Sequence, residues 1–362
     1  MDNMFKDKKM MGILGILIVL ISVGFIIFTV VNKKEPAFEG DKTEETEKKE
    51  EKVEEKKEFT IIDVNSNSRP IAVMINNANV ARGVQSGLQD AYIVYEMIVE
   101  YGITRMMAVF KDKDTARIGS VRSVRPYYLD YALENDAIYV HYAGIDEFLK
   151  QIKNLGVNNI NHGSEDDYSE NVKRYPYWRD TSLKVASEHT AFTSIERILK
   201  ESKRLGYRLT SDKETLLNYT VDEVDLSKKE DSVVANSVDI KYSSEYITNY
   251  VYNADEKIYY RSVNNKAHKD YVTKEQYTTK NIIISFAKNY TTPGDAKDRQ
   301  TLENIGTGSG YYITNGYAVP ITWEKSSRES QTVYKYKDGN EIDVSDGNTY
   351  IQIVKSNSTT IK

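Results

Sequence analysis

Residues 126–156, PYYLDYALENDAIYVHYAGIDEFLKQIKNLG, decide the fold class, because they set a β-type run between two helical stretches. Pro126 opens the first stretch, where a helix tolerates a missing N–H, and Pro126 to Glu134 reads as a helix. Ala137 to Tyr142 is rich in strand-forming residues. Ile145 to Leu155 reads as a second helix that stops before Gly156. Helix, strand and helix in such quick succession predict mixed α/β structure rather than a bundle or an all-β sandwich.

Working outward, Ile71 to Ile75, Ala91 to Glu100 and Met106 to Phe110 are three further strand candidates. Thr193 to Leu205 is the clearest helix: Ile195, Ile198, Leu199 and Ser202 mark one face, Glu201 and Lys203 point outward, and Gly206 stands at the C-terminal cap. From Asp212 to about Ser237 acidic residues and lysines dominate, which predicts an exposed connection. Beyond it lie short β-type runs at Val238–Tyr242, Tyr250–Asn253, Ile258–Arg261, Ile282–Ala287, Tyr311–Thr314, Tyr317–Trp323, Thr332–Tyr336 and Tyr350–Val354. Asn315-Gly316, Asp338-Gly339 and Asp346-Gly347 are turn signals between some of them. Gly306-Thr307-Gly308-Ser309-Gly310 has the look of a dinucleotide loop but no βαβ unit around it, so a hairpin or flexible turn is expected. The fold class read from these signals is α+β. A mixed α/β domain spans 59–219, a linker 220–237, and an antiparallel, sandwich-like or barrel-like β-rich domain 238–357.

Met10 to Val31 is an apolar run without a charged residue, long enough to cross a bilayer. Lys6, Lys8 and Lys9 precede it and favour a cytoplasmic tail at 1–9. No Ala-x-Ala cleavage pattern follows, so 10–31 is expected to be an uncleaved transmembrane signal anchor, with 32–58 as a solvated stalk of Glu, Lys, Asp and Thr. The expected placement is single-pass, with everything after the anchor extracellular. The 362 residues include no cysteine, which excludes disulfides, thiolate chemistry and a lipid-modified cysteine. A formal net charge of -5 argues against nonspecific nucleic-acid binding.

The segment Gly119-Ser120-Val121-Arg122-Ser123-Val124-Arg125-Pro126 packs two arginines among hydroxyls, with Arg117 and Arg105 upstream. Guanidinium forks recognise carboxylate or phosphate bidentately. Arg105, Arg117, Arg122, Ser123, Arg125 and Arg179 are therefore the candidate anion ligands, and ion pairing of the arginines to Glu96, Glu100 or Asp130 is the competing expectation. Glu96, Glu100, His141, Asp180 and His189 supply acids and bases for an enzymatic alternative, in which the same pocket hydrolyses or transfers a group on an envelope polymer. The four histidines are widely spaced, without a metal-binding pattern, and neither a metal nor a cofactor is expected.

A wider set of motifs carries a family resemblance. Arg69-Pro70-Ile71-Ala72-Val73-Met74-Ile75-Asn76-Asn77, Ala81-Arg82, Gln85-Ser86-Gly87-Leu88, Gly102-Ile103-Thr104-Arg105 and Ile118 to Pro126 closely resemble the YerB family, also called the DUF3048 domain. The likeness continues through His141, Trp178-Arg179-Asp180 and Glu188 to Thr193. It goes on through His268 with Asp270, Gly308 to Gly310, Pro320 to Lys325 and Asp338 to Gly347. The resemblance implies two domains exported in Gram-positive bacteria, usually as lipoproteins, and implies no established activity. This chain departs from the family in lacking the lipobox cysteine, and in reading Tyr142-Ala143-Gly144-Ile145 where the family has a glycine-rich step. The combined expectation is a membrane-tethered protein that binds an anionic cell-envelope ligand: a wall polymer, a lipid-linked precursor or a peptide carboxylate. A scaffold for other envelope proteins is the third reading.

Overall fold

The computed structural model describes residues 58–162 and 176–362; the tail at 1–9, the expected anchor at 10–31 and the stalk up to residue 57 lie outside the described residues. Among the described residues, no helix is long and apolar enough to cross a membrane.

An eleven-stranded sheet organises the chain. Its strands, in chain order, are β1 (Ile71–Asn76), β2 (Ile93–Ile98), β3 (Thr104–Phe110), β4 (Ile138–His141), β5 (Asn159–Asn161) and β6 (Val233–Val234). They continue with β7 (Asn281–Phe286), β8 (Gly306–Thr314), β9 (Tyr317–Lys325), β10 (Val333–Lys335) and β11 (Thr349–Val354). In space they run β6-β9-β8-β7-β11-β2-β3-β1-β4-β5, with β10 on β9. The helices are α1 (Pro126–Glu134), α2 (Asp146–Asn154) and α3 (Ile195–Arg204). Every residue of β1, β3 and β11 is buried, the pattern of strands covered on both faces.

Alternation along β1 and β2 assigns the two faces. Ala72, Met74, Tyr95 and Met97 point toward α1 and α2, where Leu129, Ala132, Phe148 and Ile152 complete one core. Val73, Ile75 and Val94 point the other way, toward Ile195 and Ile198 of α3 and a second, six-stranded sheet. That sheet orders 266–267, 258–263, 246–253, 237–243 and 359–361, with 278–279 on 258–263, and buries Val238, Ile240, Tyr250 and Tyr259 against the main sheet.

The C-terminal half is not purely antiparallel. β7 runs parallel to β11, and β11 runs parallel to β2 of the N-terminal half, pairing Ile93 with Thr349 and Met97 with Ile353. One sheet thus crosses from one half into the other, and the described residues form one compact unit. The 220–237 segment is exposed along most of its length, as its charge predicts, and is pinned at Leu226 and Ala235, which are fully buried in the two cores. The fold also runs past residue 357, because 359–361 pairs with Val238 to Ile240. Gly306 to Gly310 forms the first half of β8, not a turn. A Cβ on Gly308 would meet the Trp323 ring at 2.6 Å and one on Gly310 the Ile284 carbonyl at 1.8 Å.

At the junction of the halves Glu96 and Arg261, both fully buried, form an ion pair with N···O of 2.8 Å. Arg261 Nε donates to His268 Nδ1 (3.0 Å), His268 Nε2 donates to Gln85 Oε1, Gln85 Nε2 donates to Asn77 Oδ1 (3.2 Å), and Asn77 Nδ2 donates to Glu96 Oε1 (3.0 Å). The five side chains close a ring. Removing one member of a buried pair strands the other charge, which costs about 3–5 kcal/mol. Arg261→Met should lower the free energy of unfolding in urea by about that much, and Glu96→Met with Arg261→Met should lose less. A single variant as stable as the parent would show that the pair does not join the halves.

Candidate functional site at the carboxyl ends of parallel strands

β1, β4 and β5 run parallel, pairing Ala72 with Tyr139 and Val140 with Ile160. In open α/β sheets the carboxyl ends of parallel strands are where ligands gather, because the loops there converge while the helices cover the faces. Asn76, Tyr142 and His162 occupy those ends. The segment after Gly119 lies across them: Val121 bridges Ile75, Arg122 N donates to Met74 O (2.9 Å), and Tyr142 N donates to Arg122 O (2.9 Å). A three-stranded ribbon of 118–119, 191–193 and 178–179 adds Arg179 and Asp180, and the turn at Ser187–His189 adds Glu188 and His189.

The six residues expected to hold an anion separate into three groups. Arg125 donates from Nε to Glu100 Oε2 (2.8 Å) and pairs again through its terminal nitrogen with Oε1, while Arg105 reaches the same Oε1 at 3.3 Å. These two arginines are buried and matched by an internal acid, and Ser123 contributes to them its carbonyl, which accepts from Arg105 at 2.6 Å. Arg117 forms the second group, paired with Asp180 Oδ2 (2.9 Å) and stacked 3.7 Å from the Phe192 ring centroid. Asp180 is held below its ordinary range first by the Ser182 hydroxyl and then by Arg117.

Arg122 and Arg179 form the third group. Arg122 donates to the Glu188 carbonyl (3.1 Å) and lies 3.8 Å from the largely exposed Glu188 carboxylate; its Nε is buried without an acceptor. Burial foremost, then the charges of Arg105 and Arg179, loosen its hold on its proton, while Glu188 opposes them. Arg179 donates to the Ser187 carbonyl and to Tyr142 OH (3.0 Å), whose ring stacks on His162 at 4.3 Å.

Asn76 sets the state of His189. Its Oδ1 accepts the Ala78 N–H (3.2 Å), which leaves Nδ2 as the donor to His189 Nδ1 (2.8 Å). The His189 proton therefore sits on Nε2, and burial, with Arg122 next, disfavours a second one. His141 has both nitrogens engaged, Nδ1 donating to Ala143 O (3.0 Å) and Nε2 accepting from Asn159 (3.0 Å); burial lowers its pKa to about 4.

Glu96 and Glu100 do not share a site. β2 ends at Ile98, Tyr101 and Gly102 take positive φ, and Glu100 turns to Arg105 and Arg125 while Glu96 points between the two sheets. Sequence reasoning missed Asn76, Tyr142 and His162 as neighbours of the arginines. Their position just after β-type runs was the available signal. Among the described residues, no three His, Asp or Glu side chains converge as a metal site.

A mixed α+β unit whose cationic cluster crowns parallel strands, built from two halves sharing one sheet, is the class the fold and site define. The chain belongs to the family described as "Protein of unknown function (DUF3048)": its N-terminal domain matches residues 59–208 and its C-terminal domain residues 238–351. YerB of Bacillus subtilis (strain 168), named as a candidate lipoprotein, is 30% identical over 289 residues, covering 79% of this chain and 81% of YerB. The crystal structure of YerB protein from Bacillus subtilis superposes with a TM-score of 0.68 at 26% identity, covering 82% of this chain and 94% of that one.

The buried histidines set a pH dependence. An unfolded histidine takes up a proton below about pH 6.5, whereas folded His141 takes one only near pH 4. Its contribution is thus complete above pH 6.5 and is lost as the pH falls toward 4, by about 3 kcal/mol. His268, held neutral first by burial and then by Arg261, acts in the same direction. Urea midpoints should drop between pH 7 and pH 4.5, and His141→Gln should flatten part of the slope; equal midpoints at the two pH values would contradict this.

Proposed function

We propose that this chain, tethered outside the cytoplasmic membrane by the apolar run 10–31, binds the phosphate or carboxylate of a cell-envelope ligand through Arg122, Arg179 and His189. The observation that carries the reading is a concentration of half-buried positive charge at the carboxyl ends of β1, β4 and β5, opposed by the exposed Glu188. An entering anion relieves the repulsion between Arg122 and Arg179 and accepts from the His189 Nε2–H. The name of the Bacillus subtilis relative supports an envelope location. Since this chain has no cysteine to carry a lipid, a membrane helix at 10–31 serves as the anchor.

Binding is favoured over catalysis by the histidines. A general base needs a free nitrogen lone pair beside the substrate. The His189 lone pair is occupied by Asn76, and both His141 nitrogens are occupied by Ala143 and Asn159.

Calorimetric titration of the full-length protein in detergent with oligomeric glycerol phosphate tests the reading. Charge-assisted hydrogen bonds contribute about 1.5–3 kcal/mol each, so Arg122→Gln with Arg179→Gln should weaken binding by about tenfold or more. Arg125→Gln should instead lower the melting temperature and leave the affinity within about threefold. Unchanged affinity in the double variant would remove the proposal.

A further inference from the structure

We infer that the edge strand 178–179 carries a carbohydrate subsite on the face opposite Arg179, so that the ligand of the proposed anion site is an anionic glycan; the inference rests on that anion reading. Neighbouring residues of a strand point to opposite faces. Arg179 reaches Tyr142 and the 187–190 turn, whereas Trp178 faces Phe192, with ring centroids 6.2 Å apart, and Arg197, whose guanidinium carbon lies 5.1 Å from its ring centroid. Among the described residues this strand pairs with 191–193 alone, so no other described strand lies along its outer edge. A ligand passing over that edge meets Trp178 on one side and Arg179 on the other.

The Trp178 face opens on a cavity of about 400 Å³ lined by Asp114, Ala116, Trp178, Ser194, Glu196 and Arg197. That volume is within the range of small-ligand pockets, about 300–1,000 Å³. A sugar ring presents an apolar C–H face and a rim of hydroxyls. The half-buried indole matches the first, and two carboxylates and a guanidinium match the second. Asp114 and Glu196 are exposed and form no ion pair among the described residues. Two carboxylates against one guanidinium make this cavity hostile to an anion and suited to a neutral polyol. The charge of the ligand is thereby directed to the Arg179 face and its sugar to the Trp178 face.

The chain has two tryptophans, and Trp323 is buried, donating to the Phe286 carbonyl (3.1 Å), so sugar binding is read out by the fluorescence of Trp178. Full-length protein in detergent is titrated with glycerol phosphate and with the 1-phosphates of glucose, galactose and N-acetylglucosamine. At least one sugar phosphate should bind about fivefold or more tightly than glycerol phosphate and quench the emission. Trp178→Ala should abolish that advantage while leaving glycerol phosphate within about twofold; Trp178→Tyr, which keeps a flat ring, should retain part of it; Arg179→Gln should weaken both classes. Sugar phosphates that bind no better than glycerol phosphate, or an advantage that survives Trp178→Ala, would overturn the subsite and leave the anion reading standing. Wild-type protein that binds neither class would overturn both.

Discussion

The closed ring of Glu96, Arg261, His268, Gln85 and Asn77 is the constraint on which the rest of this structure depends. All five side chains are buried, two of them charged, and no water replaces a lost partner at such a depth without an energetic cost. Each link also fixes the next. The Arg261 Nε–H must meet a lone pair on His268 Nδ1, so the histidine proton is on Nε2 and faces Gln85 Oε1. The glutamine amide nitrogen is then directed at Asn77 Oδ1 and at the Asn76 carbonyl. The ring thereby holds the end of β1, and Asn76 in turn holds the donor form of His189. A charge pair between the sheets and a hydrogen-bond donor in the candidate site belong to one network.

Similar ties recur on the helix-covered face. Lys325 meets Glu134 at 2.9 Å with both side chains fully buried, and Arg328 meets Asp130 at 2.5 Å. Asp270, from the second half, accepts the Gly87 N–H at 2.7 Å, and Tyr271 N donates to the Gln85 carbonyl at 2.7 Å. Together with the parallel pairing of β2 and β11, these contacts tie the N-terminal half, which carries the candidate site, to the C-terminal half. That half supplies the counter-charges and clamps that fix the loops after β1. The two domains described for the family are sequence regions, and physically they complete one another's polar groups.

Local signals were legible in the sequence. The proline that opens α1, the glycine after α3 at φ +72° and the Asn315-Gly316 hairpin each rest on backbone chemistry that one or two residues decide. Long-range pairing was not legible. β2 and β11 are buried on both faces almost throughout, so neither shows an alternation that marks its neighbour, and their partnership spans most of the chain. The arginine-rich segment was legible as a cluster of charge, but its partition was not. Glu100 lies 25 positions before Arg125, and only the turn at Tyr101 and Gly102 swings it back to that guanidinium. Glu201 shows the same limit on a helix: it was expected outward, yet it is buried and paired with Arg204 at 2.7 Å.

What separates the candidate site from the internal ion pairs is therefore the state of satisfaction of its charges, not the residue type. Arg125 and Arg105 share a carboxylate inside the fold, and their charge is spent on structure. Arg179 is held by a backbone carbonyl and a tyrosine hydroxyl, and Arg122 by a backbone carbonyl with the exposed Glu188 carboxylate 3.8 Å away, so their charge is matched less closely. Asn76 applies the same logic to His189, orienting it so that its Nε2–H is left as the donor. Donors fixed in place by neutral partners lose little freedom when an anion arrives, which is the physical meaning of a preorganised site. The fold satisfies some of its arginines with buried acids and holds others chiefly through neutral groups, and the proposed binding reading rests on that difference.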